Sequence, residues 1–142
     1  MYAFGRRSLQ NLNTCDTFLQ KVLIRAMSYQ LMDFAIICGH RDEAAQNRAF
    51  NSRNSKKRWP DSKHNHLPSI AVDVAPWPID WNDHLAFARL YGIIEAASVE
   101  VRGAEGSDTK LRWGGDWDGD GESNDQSFMD IGHFEMVKAP TR

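Results

Sequence analysis

Ser62-Lys63-His64-Asn65-His66-Leu67-Pro68-Ser69-Ile70-Ala71-Val72-Asp73 runs from a polar, proline-containing stretch into a short β-branched segment, and its reading decides the fold. Residues 70–74 have strand composition, closed by Ala75-Pro76. Side chains alternate faces along a strand, so Ala71 and Asp73 share one face and Val72 takes the other. Small Ala71 leaves space beside Asp73. Downstream, Asp130-Ile131-Gly132-His133-Phe134-Glu135 provides a matching segment. A final strand over 132–137 puts His133 and Glu135 on one face, with Phe134 packing behind. Asp130 then falls in the loop before that strand.

Working outward, apolar positions Phe18, Val22, Leu23, Ile24 and Met27 predict an amphipathic helix over 14–29, with Thr14 or Asp16 as its cap. Residues 33–38 read as a buried strand ended by Gly39, and 42–50 as a helix. The basic, polar stretch 51–63 reads as a loop, long enough to suggest a functional one. Trp77-Pro78-Ile79-Asp80-Trp81 is a turn. Asn82 caps a long helix carrying Leu85, Phe87, Ala88, Leu90, Tyr91, Ile94 and Ala97, and 111–113 forms a short strand. Helices and strands mix without regular alternation, so the class is α+β.

Two imidazoles and one carboxylate from distant segments give three protein ligands to zinc and leave a fourth position for water. Asp73 and His133 are two of these candidates. His64 is the favoured third, with His66 as its alternate. Asp130, three residues before His133, is placed to act as a base on water. Together these residues predict a small zinc hydrolase.

The pattern resembles the zinc peptidases of the M15 type, which include D-Ala-D-Ala carboxypeptidases and phage L-alanyl-D-glutamate endopeptidases. Ser62, His64, Ala71 and Asp73 answer the family's first motif, and Asp130 and His133 its second. His66 stands at the family's usual spacing from Asp73, with Ser69 at the glycine position. His64 keeps the Ser-x-His context but requires an enlarged turn at Pro68-Ser69. Cys38-Gly39-His40-Arg41 is similar to the family's Gly-x-Arg segment, and Gln46 to part of the helix that follows. Trp113-Gly114-Gly115-Asp116-Trp117 and His133-Phe134-Glu135 look like the phage endolysin branch.

The resemblance implies one zinc peptidase domain over 1–142. Its fold would be hedgehog/D-Ala-D-Ala-peptidase-like, with a central antiparallel sheet flanked by helices. It implies hydrolysis of peptidoglycan stem peptides at an L-alanyl-D-glutamate bond, with Arg41 as an electrophile beside zinc. It also implies build-up in the cytoplasm of an infected bacterium and release to the periplasm and cell wall by a holin. Two other readings stand beside it: a D,D- or L,D-carboxypeptidase of the same fold, and a hedgehog-like metal module that binds without catalysis. Asp130 argues against the second, since a binding module needs no base.

Glu135 either orients a ligand imidazole or pairs with a nearby Lys or Arg. Asp116-Trp117-Asp118-Gly119-Asp120-Gly121 matches the start of a calcium loop, with Asp116, Asp118 and Asp120 as ligands. Ser127 stands where the usual bidentate Glu would be, so a metal-free polar turn is the other reading. Lys56, Lys57 and Arg58 read as a solvated loop that could also meet an anionic wall. Trp77, Trp81, Trp113 and Trp117 read as core or lid residues.

Bulk properties limit the function classes. The net charge of −2 argues against a nucleic-acid binder. No apolar run approaches a membrane span, and no secretory signal is read at the N-terminus. Cys15 and Cys38 read as reduced, buried thiols. The chain is expected to act as a monomer.

Overall fold

Alternation in two short sequence segments builds the centre of the molecule. The structure is a computed structural model and describes residues 1–116 and 130–138. Four strands, β1 (Phe34–Cys38), β2 (Ala71–Pro76), β3 (Thr109–Gly114) and β4 (Asp130–Lys138), form one sheet in the order β1-β2-β4-β3. Every neighbouring pair is antiparallel, as expected. Val72, Val74, Ile36 and Phe134 point into a core shared with two helices. The opposite face carries Ala71, Asp73, His133 and Glu135. Register pairs Ala71 with Glu135 and Asp73 with His133, so the polar face is assembled by the strand pairing itself.

Of the helices, α1 spans Arg6–Leu12, α2 Thr17–Ser28, α3 Glu43–Asn51 and α4 His84–Glu105. Asp16 caps α2 by accepting from the Phe18 N–H at 2.9 Å, so the helix starts three residues later than the apolar pattern suggested. Asp83, rather than Asn82, caps α4 through the Ala86 N–H. Gly106 ends α4 in the left-handed conformation at φ 63°. Leu19, Val22 and Leu23 of α2 and Leu90, Ile94 and Ala97 of α4 are fully or almost fully buried. Each such aliphatic side chain contributes roughly 1.5–3 kcal/mol through burial. Tyr91 of α4 stacks on Trp113 of β3 at 4.3 Å and fixes that edge of the sheet.

Helix α1 carries no clear signal in the sequence. It is short, has no side-chain cap, and buries only Ser8 and Leu12. Its stability comes from tertiary contact. Ser8 Oγ accepts from the Ile36 N–H at 3.0 Å, and Asn11 Nδ2 donates to the Ile36 carbonyl at 2.7 Å. Thus α1 satisfies backbone groups on the outer edge of β1.

Candidate metal centre

The polar face becomes a site because three segments converge on it. β2 presents Asp73 and β4 presents His133. The third segment, Lys63–Asn65, begins at the end of the stretch 51–63 that reads as a loop and forms one 3-10 turn. Ser62 caps this turn by accepting from the His64 N–H at 3.2 Å, and Asn65 Oδ1 accepts from the Ser62 N–H at 3.1 Å. The turn buries His64 to 2% exposure and aims it at the sheet.

Three donor atoms meet there. His64 Nε2 lies 3.3 Å from Asp73 Oδ1 and 3.3 Å from His133 Nδ1, and His133 Nδ1 lies 3.0 Å from Asp73 Oδ1. Zinc bonds of about 2.0–2.1 Å to tetrahedral ligands place neighbouring donors about 3.3–3.4 Å apart. The triangle therefore fits three corners of such a site.

Hydrogen bonding fixes the His64 tautomer: its Nδ1 donates to the Gly39 carbonyl at 2.7 Å, which in the neutral ring leaves the Nε2 lone pair facing the cluster. His133 lies between two carboxylates, with Nδ1 3.0 Å from Asp73 Oδ1 and Nε2 2.9 Å from Glu135 Oε1, so Glu135 can take the Nε2 proton when Nδ1 serves as a ligand. Such a cluster demands positive charge at its centre. Burial opposes charge on His64, yet the Asp73 carboxylate outweighs it and the imidazole is pushed up to about 10. Burial also opposes charge on Asp73, but the two imidazoles hold its carboxyl well below the usual carboxylate range.

Asp130 stands slightly apart. Its carboxylate groups with the donors of Asp73 and His133, all within 4.8 Å of one another. Burial, and then the Asp73 charge, raise its pKa above the ordinary aspartate value. Asp130 is not in a loop, as the sequence suggested, but is the first residue of β4. Simple alternation would place it with Phe134, facing the core. A register shift changes this: Trp113 pairs with Phe134, but the next residue, Gly114, pairs with Asp130. This irregularity turns Asp130 toward the site. It also requires glycine at 114, where a Cβ would lie 2.0 Å from the Asp130 carbonyl oxygen.

Arg41 Nη2 donates to Asp73 Oδ2 at 3.2 Å, and its Nη1 donates to Gln46 Oε1 at 2.9 Å. Arg41 is therefore beside the donor triangle and not a plain surface residue. Glu135 contacts both His133 and two cations. One oxygen orients His133; the other pairs with Lys63 at 2.9 Å and Arg112 at 2.7 Å. Burial works against its charge, but these hydrogen bonds keep it ionised.

The side chain of His66 is exposed and lies outside the cluster; its carbonyl accepts from His40 Nδ1 at 2.9 Å. Asp118 and Asp120 lie outside the described residues, as does Trp117, and Asp116 is buried just beyond β3. Trp77 and Trp81 are more than half exposed and so are not core residues. Both cysteines are free thiols; Cys15 is buried and Cys38 half-buried.

The sequence reading gave no role to Cys38, Lys63 or Arg112 at the site, and none to Gln46 beyond its helix. Cys38 pairs with Asp73 in the β1–β2 register, which brings its Sγ to 3.9 Å from His64 Nδ1. Gln46 is fully buried at the start of α3. Its Oε1 also accepts from Asn65 Nδ2 at 3.1 Å, and its Nε2 donates to Ser55 Oγ at 3.0 Å and to the Lys57 carbonyl at 2.7 Å. The amide thus joins Arg41, the 3-10 turn and the basic loop. Gln46→Leu strands these partners in a buried setting and is expected to cost roughly 2–4 kcal/mol, measurable by urea unfolding.

Known proteins resemble the chain over nearly its whole length. A family model described as phage L-alanyl-D-glutamate peptidase matches residues 1–137. The L-alanyl-D-glutamate peptidase of Escherichia phage T5 is 35% identical over 144 residues, covering 96% of this chain and 98% of that protein. The crystal structure of the L-Ala D-Glu endopeptidase ChiX of Serratia marcescens superposes with a TM-score of 0.72 at 25% identity, covering 95% of this chain and 90% of that one. With nearly its whole length matched, the chain belongs to the phage L-alanyl-D-glutamate peptidase family.

Proposed function

We infer that this chain is a peptidoglycan hydrolase that cuts the L-alanyl–D-glutamate bond of stem peptides, with zinc held by His64, Asp73 and His133. The donor triangle, with edges of 3.0 to 3.3 Å and the other ring nitrogen of each histidine held by an acceptor, carries this reading. Two nitrogens and a carboxylate oxygen are a donor set suited to zinc. When bound there, zinc supplies Lewis acidity, lowering the pKa of water to about 7 and polarising the scissile carbonyl.

The residues around it divide the remaining work. Asp130 accepts the proton of the attacking water and delivers it to the departing glutamate nitrogen. Arg41 faces the developing oxyanion and, through Asp73 Oδ2, steadies a ligand carboxylate. Gly39 and Glu135 hold the two imidazoles in their ligating tautomers.

All these groups come from one chain, which supports action as a monomer. No helix among the described residues is long and apolar enough to cross a membrane. Synthesis in the infected cell followed by access to the wall is the matching route. The spacing of Asp116, Asp118 and Asp120 supports a calcium loop between β3 and β4. The test of the main reading is digestion of purified cell walls by zinc-loaded protein. New amino-terminal glutamate should appear in the fragments; release of D-alanine alone would instead identify a carboxypeptidase.

A further inference from the structure

Beside the metal centre lies a cleft of ≈ 340 Å³ whose charged lining residues are mostly cationic: Arg41, Lys56, Lys57, Lys63 and Arg112 against Asp130 and Glu135. Three of those cations are already engaged by the protein's own carboxylates. Arg41 holds Asp73, and Lys63 and Arg112 both hold Glu135. Lys57 differs. Its backbone carbonyl is pinned by the buried Gln46 amide at 2.7 Å, while its side chain is exposed in the cleft and makes no ion pair among the described residues. The backbone N–H of Lys57 is also fixed, donating to Ser55 Oγ at 3.2 Å. The base of this side chain is thus anchored through Gln46 to Arg41, and its charge is left to face a ligand.

The proposed reaction supplies such a ligand. Glutamate has two carboxyl groups, so one stays free on the leaving residue whichever carries the stem onward; when the γ-carboxyl carries it, the free one is on the carbon that bears the scissile nitrogen. We propose that Lys57 is a specificity-determining residue that receives this free carboxylate of the leaving glutamate. The inference rests on the hydrolase reading above. The ammonium would fix the leaving residue beside Asp130, and a stem amidated at that carboxyl would lose the charge pairing.

The experiment compares two synthetic stem peptides, one with the free carboxylate and one with the amide at the same carbon, as substrates of the zinc-loaded protein. Wild type should favour the carboxylate in kcat/KM by roughly tenfold, the lower end for a hydrogen bond to a charged group. That preference should shrink as added salt screens the charges. Lys57→Met should bring the carboxylate substrate down to the level of the amide, Lys57→Arg should restore the preference, and Lys57→Glu should invert it. The exposed position makes folding failure an inadequate explanation for inversion. An unchanged ratio in Lys57→Met and Lys57→Glu overturns the proposal. So does an equal loss on both substrates, which marks a general rather than a specificity role. If wild type cuts neither peptide, the hydrolase reading itself fails, a result separate from the first two.

Discussion

Asp130→Asn is expected to lower kcat by roughly 10²–10⁴-fold, the range for loss of a general base, while zinc content stays at the wild-type level. The amide keeps the size and much of the hydrogen bonding of the carboxylate but cannot take a proton from water. The metal is spared because the tight triangle consists of His64, Asp73 and His133, and Asp130 stands off from it. Turnover and metal content measured on the same sample distinguish this from collapse of the site. Activity near wild type would move the base elsewhere. Glu135 is a poor substitute, since His133, Lys63 and Arg112 already occupy its oxygens. In the metal-free protein, burial and then the Asp73 charge should make the Asp130 carboxyl titrate above the ordinary aspartate value, which NMR titration checks; a bound dication beside it would pull that titration back down.

The second large effect separates neighbouring histidines. His64→Ala should reduce zinc affinity by more than about 10²-fold, beyond the range for residues that merely orient a ligand, and abolish hydrolysis. His66→Ala should leave both intact. His64 is buried with its Nε2 in the donor triangle, whereas the His66 ring points to solvent. Zinc titration of the two metal-stripped variants settles the assignment. The reverse outcome would mean that spacing from Asp73, rather than the Ser62-capped turn, governs ligation.

Much of this site could be read from the chain, for definite reasons. Strand periodicity is local, so the shared face of Ala71 and Asp73, and that of His133 and Glu135, follow from alternation alone. The apolar faces of α2 and α4 are equally local signals. What sequence could not supply was register. The pairing of Glu135 with Arg112 and of Cys38 with Asp73 depends on which residues stand opposite in neighbouring strands, and the approach of Lys63 and His64 depends on where the 3-10 turn docks on the sheet. Asp130 shows the limit sharply. Its parity along β4 argues for the core, and only the irregular pairing at Gly114 sends it the other way. Helix α1 was hidden for a related reason, because the groups that stabilise it belong to β1.

The sheet can also be viewed as two hairpin-like halves joined along one line. β1–β2 pairing runs from Phe34↔Pro76 to Cys38↔Asp73, and β3–β4 pairing from Thr109↔Lys138 to Gly114↔Asp130. The joint between the halves is shorter, from Ala71↔Glu135 to Asp73↔His133. His64 and Asp73 lie on one side of it and His133 on the other, so an ion held by all three rivets the weakest seam. Parting the halves then requires losing the ion. Free zinc at a hundred times its dissociation constant would add about 2.7 kcal/mol against that opening. With zinc as that ion, resistance to digestion should follow the metal supply, and limited proteolysis with and without a chelator checks it.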